Sequence, residues 1–157
     1  MSQQPNILVL ARSAQECAEA HTDQDLMQRA GDYMDTLELA YLQRNGGPTR
    51  SRHVLVKWAL DENAWGWLHD LVLYMLYEQA YRYGTEDEDI FERLQLISYG
   101  EPYNCEPSRF VQLLPDKIQG DAVAAYRQWY TGEAEPCWTK RGPPDWWKGS
   151  EQLVLPF

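Results

Sequence analysis

The chain has 157 residues, which fits one domain able to bury roughly 68–70% of the surface that its unfolded form exposes. Its formal net charge of −10 argues against broad, non-specific nucleic-acid binding, which depends on Lys and Arg, but permits a local basic cleft. Three cysteines without CxxC spacing, in a chain with no recognisable signal peptide, predict reduced thiols and a cytoplasmic protein.

The first predicted elements are an apolar run and two helices. The run from Asn6 to Ala11 fits either a strand or an extended N-terminal arm. Ser13 begins a capping box that predicts a short helix to about Ala20. Thr22 can cap a second helix, which should end at the Asn-Gly-Gly-Pro turn from Asn45. Its apolar positions recur every three or four residues: Leu26, Met27, Ala30, Met34, Leu37 and Tyr41.

A basic cluster follows in the segment 49–60, where His53, Lys57 and two arginines lie close to Trp58. These groups could form an anion site. A solvated loop followed by a short helix explains the same pattern without a ligand, so both interpretations stay open.

The stretch from Asp61 to Tyr83 predicts the central helix. Apolar or aromatic residues occupy nearly every face, which is typical of a helix surrounded by neighbours, but the unbroken apolar run is too short to cross a membrane. Asp61 can cap its start and Gly84 can stop it. Near the end, Glu78 and Arg82 are spaced for an ion pair, which could be either solvated or part of a pocket wall.

The second half predicts two further helices and a different C-terminal segment. An acidic run from Thr85 begins a helix through Ile97, and Asp121 caps another that stops near Thr131. The fold expected is therefore mainly α: a single helical domain spanning 1–157, with an irregular aromatic C-terminal arm over 131–157.

The arm contains one locally basic and aromatic stretch, from Trp138 to Lys148. Indoles beside cations suit stacking of a base while a phosphate is held. Trp146 and Trp147 beside prolines could equally clamp the end of a helical domain.

Metal and motif signals are weak. His21, Asp23 and Asp25 match no well-defined metal-site spacing, and we expect neither a metal nor a cofactor. His69 beside Asp70 on a buried helix fits a structural histidine.

Five motifs, in order, carry a family resemblance. They are His21-x-Asp23, His53 with Trp58, Glu78-x-x-Tyr81-Arg82-Tyr83-Gly84, Asp121-Ala122-Val123-x-Ala125-Tyr126-Arg127-x-x-Tyr130, and Trp138-Thr139-Lys140-Arg141-x-x-Pro144-x-Trp146-Trp147. Together they resemble a family of small phage-encoded proteins, themselves distantly similar to the phage endonuclease V type of pyrimidine-dimer DNA glycosylase.

The chain also departs from these relatives. The glycosylases use their N-terminal amine as nucleophile, assisted by a glutamate two residues beyond a Leu-Met pair; after Leu26-Met27 that position is Arg29. Where the phage family tends to have Lys or His, this chain has Gln24, Asp25, Gln28, Thr85 and Asp87. Loss of cations weakens phosphate binding, which indicates a divergent copy.

The resemblance implies a phage DNA base-processing protein that acts on a pyrimidine by glycosylase-like or hypermodification chemistry. Glu78, His53 and His21 are the expected catalytic residues, with Glu78 as general acid/base if it is buried. The expected substrate-binding residues are Arg82, Trp58, Trp67, Tyr83, Arg127, Lys140, Arg141 and Trp146. The partner would be DNA or a nucleotide.

The alternative is a catalytically silent interaction protein, for example a phage counter-defence factor that binds a host protein. Its acidic charge and the missing glutamate favour this second hypothesis. Neither hypothesis involves a membrane.

Overall fold

The computed structural model describes residues 6–47, 51, 53–114, 121–147 and 153–155. Its elements are α1 (Ala14–Ala20), α2 (Asp23–Arg44), α3 (Val54–Trp58), α4 (Glu62–Tyr83), α5 (Glu88–Ile97), α6 (Ala122–Glu133), β1 (Cys137–Thr139) and β2 (Leu153–Leu155). The mainly helical fold predicted from the sequence is confirmed. Within the described residues, none of the helices has the length and apolar character needed to cross a membrane.

Helix α4 is the buried centre of the molecule, as its all-round apolar pattern predicts. It packs against α1, α2 and α5. The Asp61 carboxylate accepts a hydrogen bond from the Ala64 amide at 3.0 Å, and Gly84 ends the helix in the left-handed conformation with φ of 82°. Both ends of the helix therefore follow the predicted capping chemistry.

The N-terminal apolar run is an extended arm and forms no strand. Residues 7–10 are fully buried, and side chains replace the hydrogen bonds that a sheet would provide. The Leu8 amide donates to the Tyr33 hydroxyl at 3.0 Å, and the Leu10 carbonyl accepts from Arg127 Nε at 2.8 Å. An extended segment can be buried in this way because its polar backbone groups are paired.

Helix α2 begins after Thr22, as predicted, but its buried face includes residues that the apolar spacing did not predict. Met27 is half exposed, whereas Tyr33, which the apolar spacing did not include, is fully buried. Tyr33 belongs to the core because its hydroxyl pairs with the buried backbone of the N-terminal arm.

The basic segment is only partly described, and Arg50 and Arg52 lie outside the described residues. His53 caps α3, since its Nδ1 accepts from the Leu55 amide at 3.1 Å. The predicted short helix is therefore present from Val54 to Trp58.

The C-terminal arm is more regular than predicted. Helix α6 continues to Glu133, and β1 pairs in parallel with β2, with Cys137 opposite Leu153. Trp138 and Trp147 are buried beside Tyr130 of α6, so the arm is anchored through its indoles. The predicted irregular arm thus contains a short two-stranded sheet.

Candidate functional site

Glu78 lies within a buried ion-pair network near the end of α4. Its carboxylate accepts from Arg82 Nε at 2.8 Å, and the two residues are only 4% and 1% exposed. The solvated-pair interpretation of the sequence is therefore wrong. A pair at this depth needs further partners to offset desolvation.

Arg82 uses its remaining nitrogens to join α4 to α1 and α2. Its Nη1 pairs with Asp23 Oδ1 at 3.0 Å, and its Nη2 donates to the Glu19 carbonyl at 2.9 Å. The Asp23 carboxylate also accepts from the Thr139 amide at 2.9 Å. Burial opposes the charge of Asp23, but hydrogen bonds from Thr139, Cys137 and Arg82 outweigh it and lower the pKa of this carboxyl.

Arg141 reaches from the C-terminal arm to cover Glu78. Its Nε and Nη2 donate to the two Glu78 oxygens at 2.5 and 2.8 Å, a bidentate contact. The Arg141 side chain is 31% exposed, and its guanidinium lies 4.9 Å from the centre of the Tyr81 ring. Hydrogen bonding to Glu78 raises the pKa of Arg141. With Arg141 in place, Glu78 is an acceptor for two guanidinium groups and has no free access to a substrate.

The outer side of Arg141 faces a cavity of about 470 Å³, which we call the arm pocket. Its wall combines the cations Arg127 and Arg141, the indole of Trp146, and the carboxylates of Glu16, Glu19 and Asp145. The Arg127 guanidinium lies 5.2 Å from the centre of the Trp146 ring, a cation–π arrangement. Three of the predicted substrate-binding residues, Arg127, Arg141 and Trp146, thus share one pocket.

The remaining predicted substrate-binding residues lie elsewhere. Trp58 and Trp67 pack edge to face, and their ring nitrogens donate to backbone carbonyls at 2.9 and 2.8 Å. Tyr83 is partly exposed at the end of α4. Lys140 is exposed with a positive φ of 61°, and its carbonyl accepts from the Tyr81 hydroxyl at 3.1 Å. None of these four residues lines the arm pocket.

The two predicted catalytic histidines also lie away from Glu78. His21 is fully buried, with Nδ1 2.7 Å from the Cys17 carbonyl and Nε2 3.0 Å from the Tyr33 hydroxyl. Burial lowers the pKa of His21 to about 4. His53 is an exposed helix cap whose Nε2 lies 2.7 Å from Asn6 Nδ2. Each histidine therefore has a structural role, and neither contacts Glu78.

A second cavity, of about 500 Å³, lies beside the start of α2, and none of its lining residues is among the predicted catalytic or substrate-binding residues. Asp25, on its wall, accepts from Arg29 Nε at 2.9 Å and from the Tyr130 hydroxyl at 2.6 Å. Burial raises the pKa of Tyr130 well above its ordinary value. The spacing of Asp25 and Arg29 by four residues was the available signal. The pairing with Tyr130 joins residues more than 100 positions apart, which no local pattern reveals.

The two aspartates of the weak metal motif at the start of α2, Asp23 and Asp25, contact different partners. Asp23 faces Arg82 and Thr139, whereas Asp25 faces Arg29 and Tyr130. Across the part of the chain that the structure describes, no group of three or more His, Cys, Asp or Glu residues could hold a metal ion.

Comparison with known proteins finds no matching family model, and neither a curated protein nor a solved structure matches the chain with significance.

Proposed function

We propose that the protein processes a pyrimidine base in phage DNA, by glycosylase-like or base-hypermodification chemistry, at the arm pocket. The observation that supports this proposal is the convergence of Arg127, Arg141 and Trp146 on one cavity, with Glu78 directly behind Arg141. A stacking surface, two cations and a carboxylate are the groups that such chemistry uses.

In the proposed binding step, an extruded pyrimidine stacks on Trp146 while a flanking phosphate pairs with Arg127 or Arg141. Trp146 is only partly buried, so part of its indole is open to a ligand. The two guanidinium groups supply the cations for a phosphate, and they lie beside the carboxylates of Glu16, Glu19 and Asp145 in a protein of net charge −10. Binding should consequently depend on a flipped or single-stranded base, since a duplex would meet the acidic surface around the pocket.

In the proposed chemical step, Arg141 exchanges its contact with Glu78 for a substrate phosphate. Arg141 is the more exposed of the two arginines, with 31% of its side chain exposed against 0% for Arg82, so it can move without unpacking the core while Arg82 stays paired with Asp23. The Glu78 carboxylate, released on one side, then accepts a proton from a water molecule, whose oxygen bonds to C1′ of the deoxyribose while the N-glycosidic bond breaks and the pyrimidine leaves. Arg141 in this scheme couples substrate binding to exposure of the general base.

The binding step is tested by measuring the affinity of single-stranded, pyrimidine-rich oligonucleotides at low salt by fluorescence anisotropy. Trp146→Ala should weaken binding by roughly five- to 150-fold, because a base–aromatic stack contributes about 1–3 kcal/mol. Trp129→Ala is the matched control: this indole is also partly buried but lines the second cavity instead. Equal affinities for both variants and the wild type would show that the base does not bind in the arm pocket.

The alternative function is a catalytically silent protein that binds a host protein as a counter-defence factor. The structural roles of His21 and His53 favour this alternative. Arg29 favours it too, because it stands at the position of the glycosylase glutamate and pairs with Asp25. Copurification of a host protein without any binding of single- or double-stranded DNA at low salt would support this alternative. Tight DNA binding would exclude it.

A further inference from the structure

A shallow apolar groove lies between the second half of α2 and the end of α5. Leu39, Tyr41 and Leu42 of α2 line it together with Ile97 of α5, around a volume of about 480 Å³. Leu39 is 39% exposed and Leu42 is 54% exposed, although large aliphatic side chains are usually buried. These residues leave part of their apolar surface exposed at the groove.

Carboxylates border this groove. Asp35 and Glu38 belong to its wall, and both pair with Arg93 of α5. Asp89 lies 4.0 Å from the same guanidinium. Three carboxylates thus surround one cation, and Asp35 and Asp89 keep 63% and 80% of their side-chain surfaces exposed. The border of the groove retains a negative charge after its internal ion pairs are counted.

We propose that this surface, the α2–α5 groove, binds a basic amphipathic helix of a partner protein. Apolar side chains of the partner, spaced by three and four residues, would contact Leu39, Leu42 and Ile97. Flanking Lys or Arg side chains would pair with the exposed carboxylates of Asp35 and Asp89. This is the helix-in-groove mode of recognition, with charge providing orientation and association rate.

Charge also indicates that the groove binds a basic partner and not a second copy of this chain. Two copies would each bring a net charge of −10 and the same carboxylate border, so their grooves would repel each other. A basic segment is attracted by both the border and the whole molecule. The inference does not depend on base processing, because α2 and α5 form this groove whereas α1, α6 and the arm form the arm pocket.

The probe for this proposal is a 14-residue amphipathic helical peptide of Leu and Lys, with binding to the full chain measured by isothermal titration calorimetry. Leu42→Lys should weaken binding by about tenfold or more, because it removes an apolar contact and repels the peptide. Met27→Lys is the matched control, since Met27 is 51% exposed on the same helix but lies outside the groove. Both substitutions replace exposed helical residues, so both variants should fold.

Two further measurements complete the test. A peptide with Glu in place of Lys should bind at least about tenfold more weakly, and Asp35→Asn should reduce both affinity and its dependence on salt. Equal losses in Leu42→Lys and Met27→Lys, or equal binding of the Glu peptide, would overturn the proposal. A dimer of the wild-type chain that Leu42→Lys dissociates would also overturn it, by assigning the groove to a second copy. None of these results bears on DNA chemistry, which is measured separately.

Discussion

At the scale of single residues, the hydrogen-bond and ion-pair partners of Glu78 and His21 determine what each side chain can do chemically. Glu78 is an ion-pair acceptor because Arg82 and Arg141 both donate to it, and removing either guanidinium would leave a buried charge less well compensated. His21 instead has two neutral partners, a backbone carbonyl and a tyrosine hydroxyl. The arrangement holds this imidazole in one tautomer, with Nδ1 donating to the carbonyl and Nε2 accepting from the hydroxyl.

The buried His21 predicts a loss of stability in mild acid. Its pKa is about 4 in the folded protein and 6.5 in an unfolded reference, so the unfolded chain binds more protons between these values. The free energy of unfolding should therefore fall as pH decreases from 6.5 towards 4, by on the order of 3 kcal/mol from this group. Urea titrations across this range measure the effect.

His21→Gln is the comparison for this prediction, because glutamine can form hydrogen bonds but cannot titrate in this range. The fall in unfolding free energy between pH 6.5 and 4 should be smaller for His21→Gln than for the wild type. If that variant does not fold, NMR of the wild-type imidazole supplies the test. An imidazole that becomes protonated near pH 6.5 in the folded protein would contradict the account.

At the scale of elements, two glycines in helix interiors are predicted to respond oppositely to alanine. Gly31 in α2 has no atom within 4 Å of an added Cβ, whereas an added Cβ at Gly66 in α4 would lie 2.4 Å from Cys105 Sγ. Gly31→Ala should stabilise the protein by about 0.5–1 kcal/mol through helix propensity. Gly66→Ala should destabilise it by about 1–3 kcal/mol through overpacking.

Thermal or urea unfolding of the two glycine variants checks this contrast, and each serves as the control for the other. Gly66→Ala combined with Cys105→Ala should recover part of the loss, because the second change removes the clashing sulfur. Equal stabilisation by alanine at both positions would show that α4 is not closely packed against the loop that contains Cys105.

The elements were predictable to the extent that local chemistry determines them. Capping at Ser13, Thr22, Asp61 and Asp121 correctly predicts where four helices begin, because each side chain bonds an amide two or three residues away. The extended N-terminal arm was undecided because its backbone partners, such as Tyr33 and Arg127, are distant in sequence.

The candidate site is formed by contacts between residues far apart in the sequence, to a greater extent than the helices are. The i,i+4 spacing of Glu78 and Arg82 predicts their ion pair, but no local pattern indicates that Arg141, 63 residues later, completes it. The same limit applies to the histidines. A sequence pattern can suggest that His53 and His21 are reactive, while the tertiary contacts that occupy their nitrogens become visible only in the fold.

On the scale of the whole molecule, an acidic protein carries two arginines, Arg127 and Arg141, in the wall of the arm pocket. The C-terminal arm brings Arg141 and Trp146 to α4 and α6, and its indoles anchor it against Tyr130. The net charge of −10 would oppose duplex DNA at most of the surface and leave this pocket for a separated base. Specificity in the proposed function would therefore come from the arm.

The most direct test of the proposed function is mass spectrometry of nucleosides and free bases after incubation of the protein with DNA, including phage DNA. Wild-type protein should produce a new nucleoside or release a pyrimidine, and Glu78→Gln should abolish that product. Glu92→Gln, at an exposed position of α5, should retain full activity. An unchanged nucleoside composition with folded wild-type protein, or undiminished product with folded Glu78→Gln, would contradict base processing at this site.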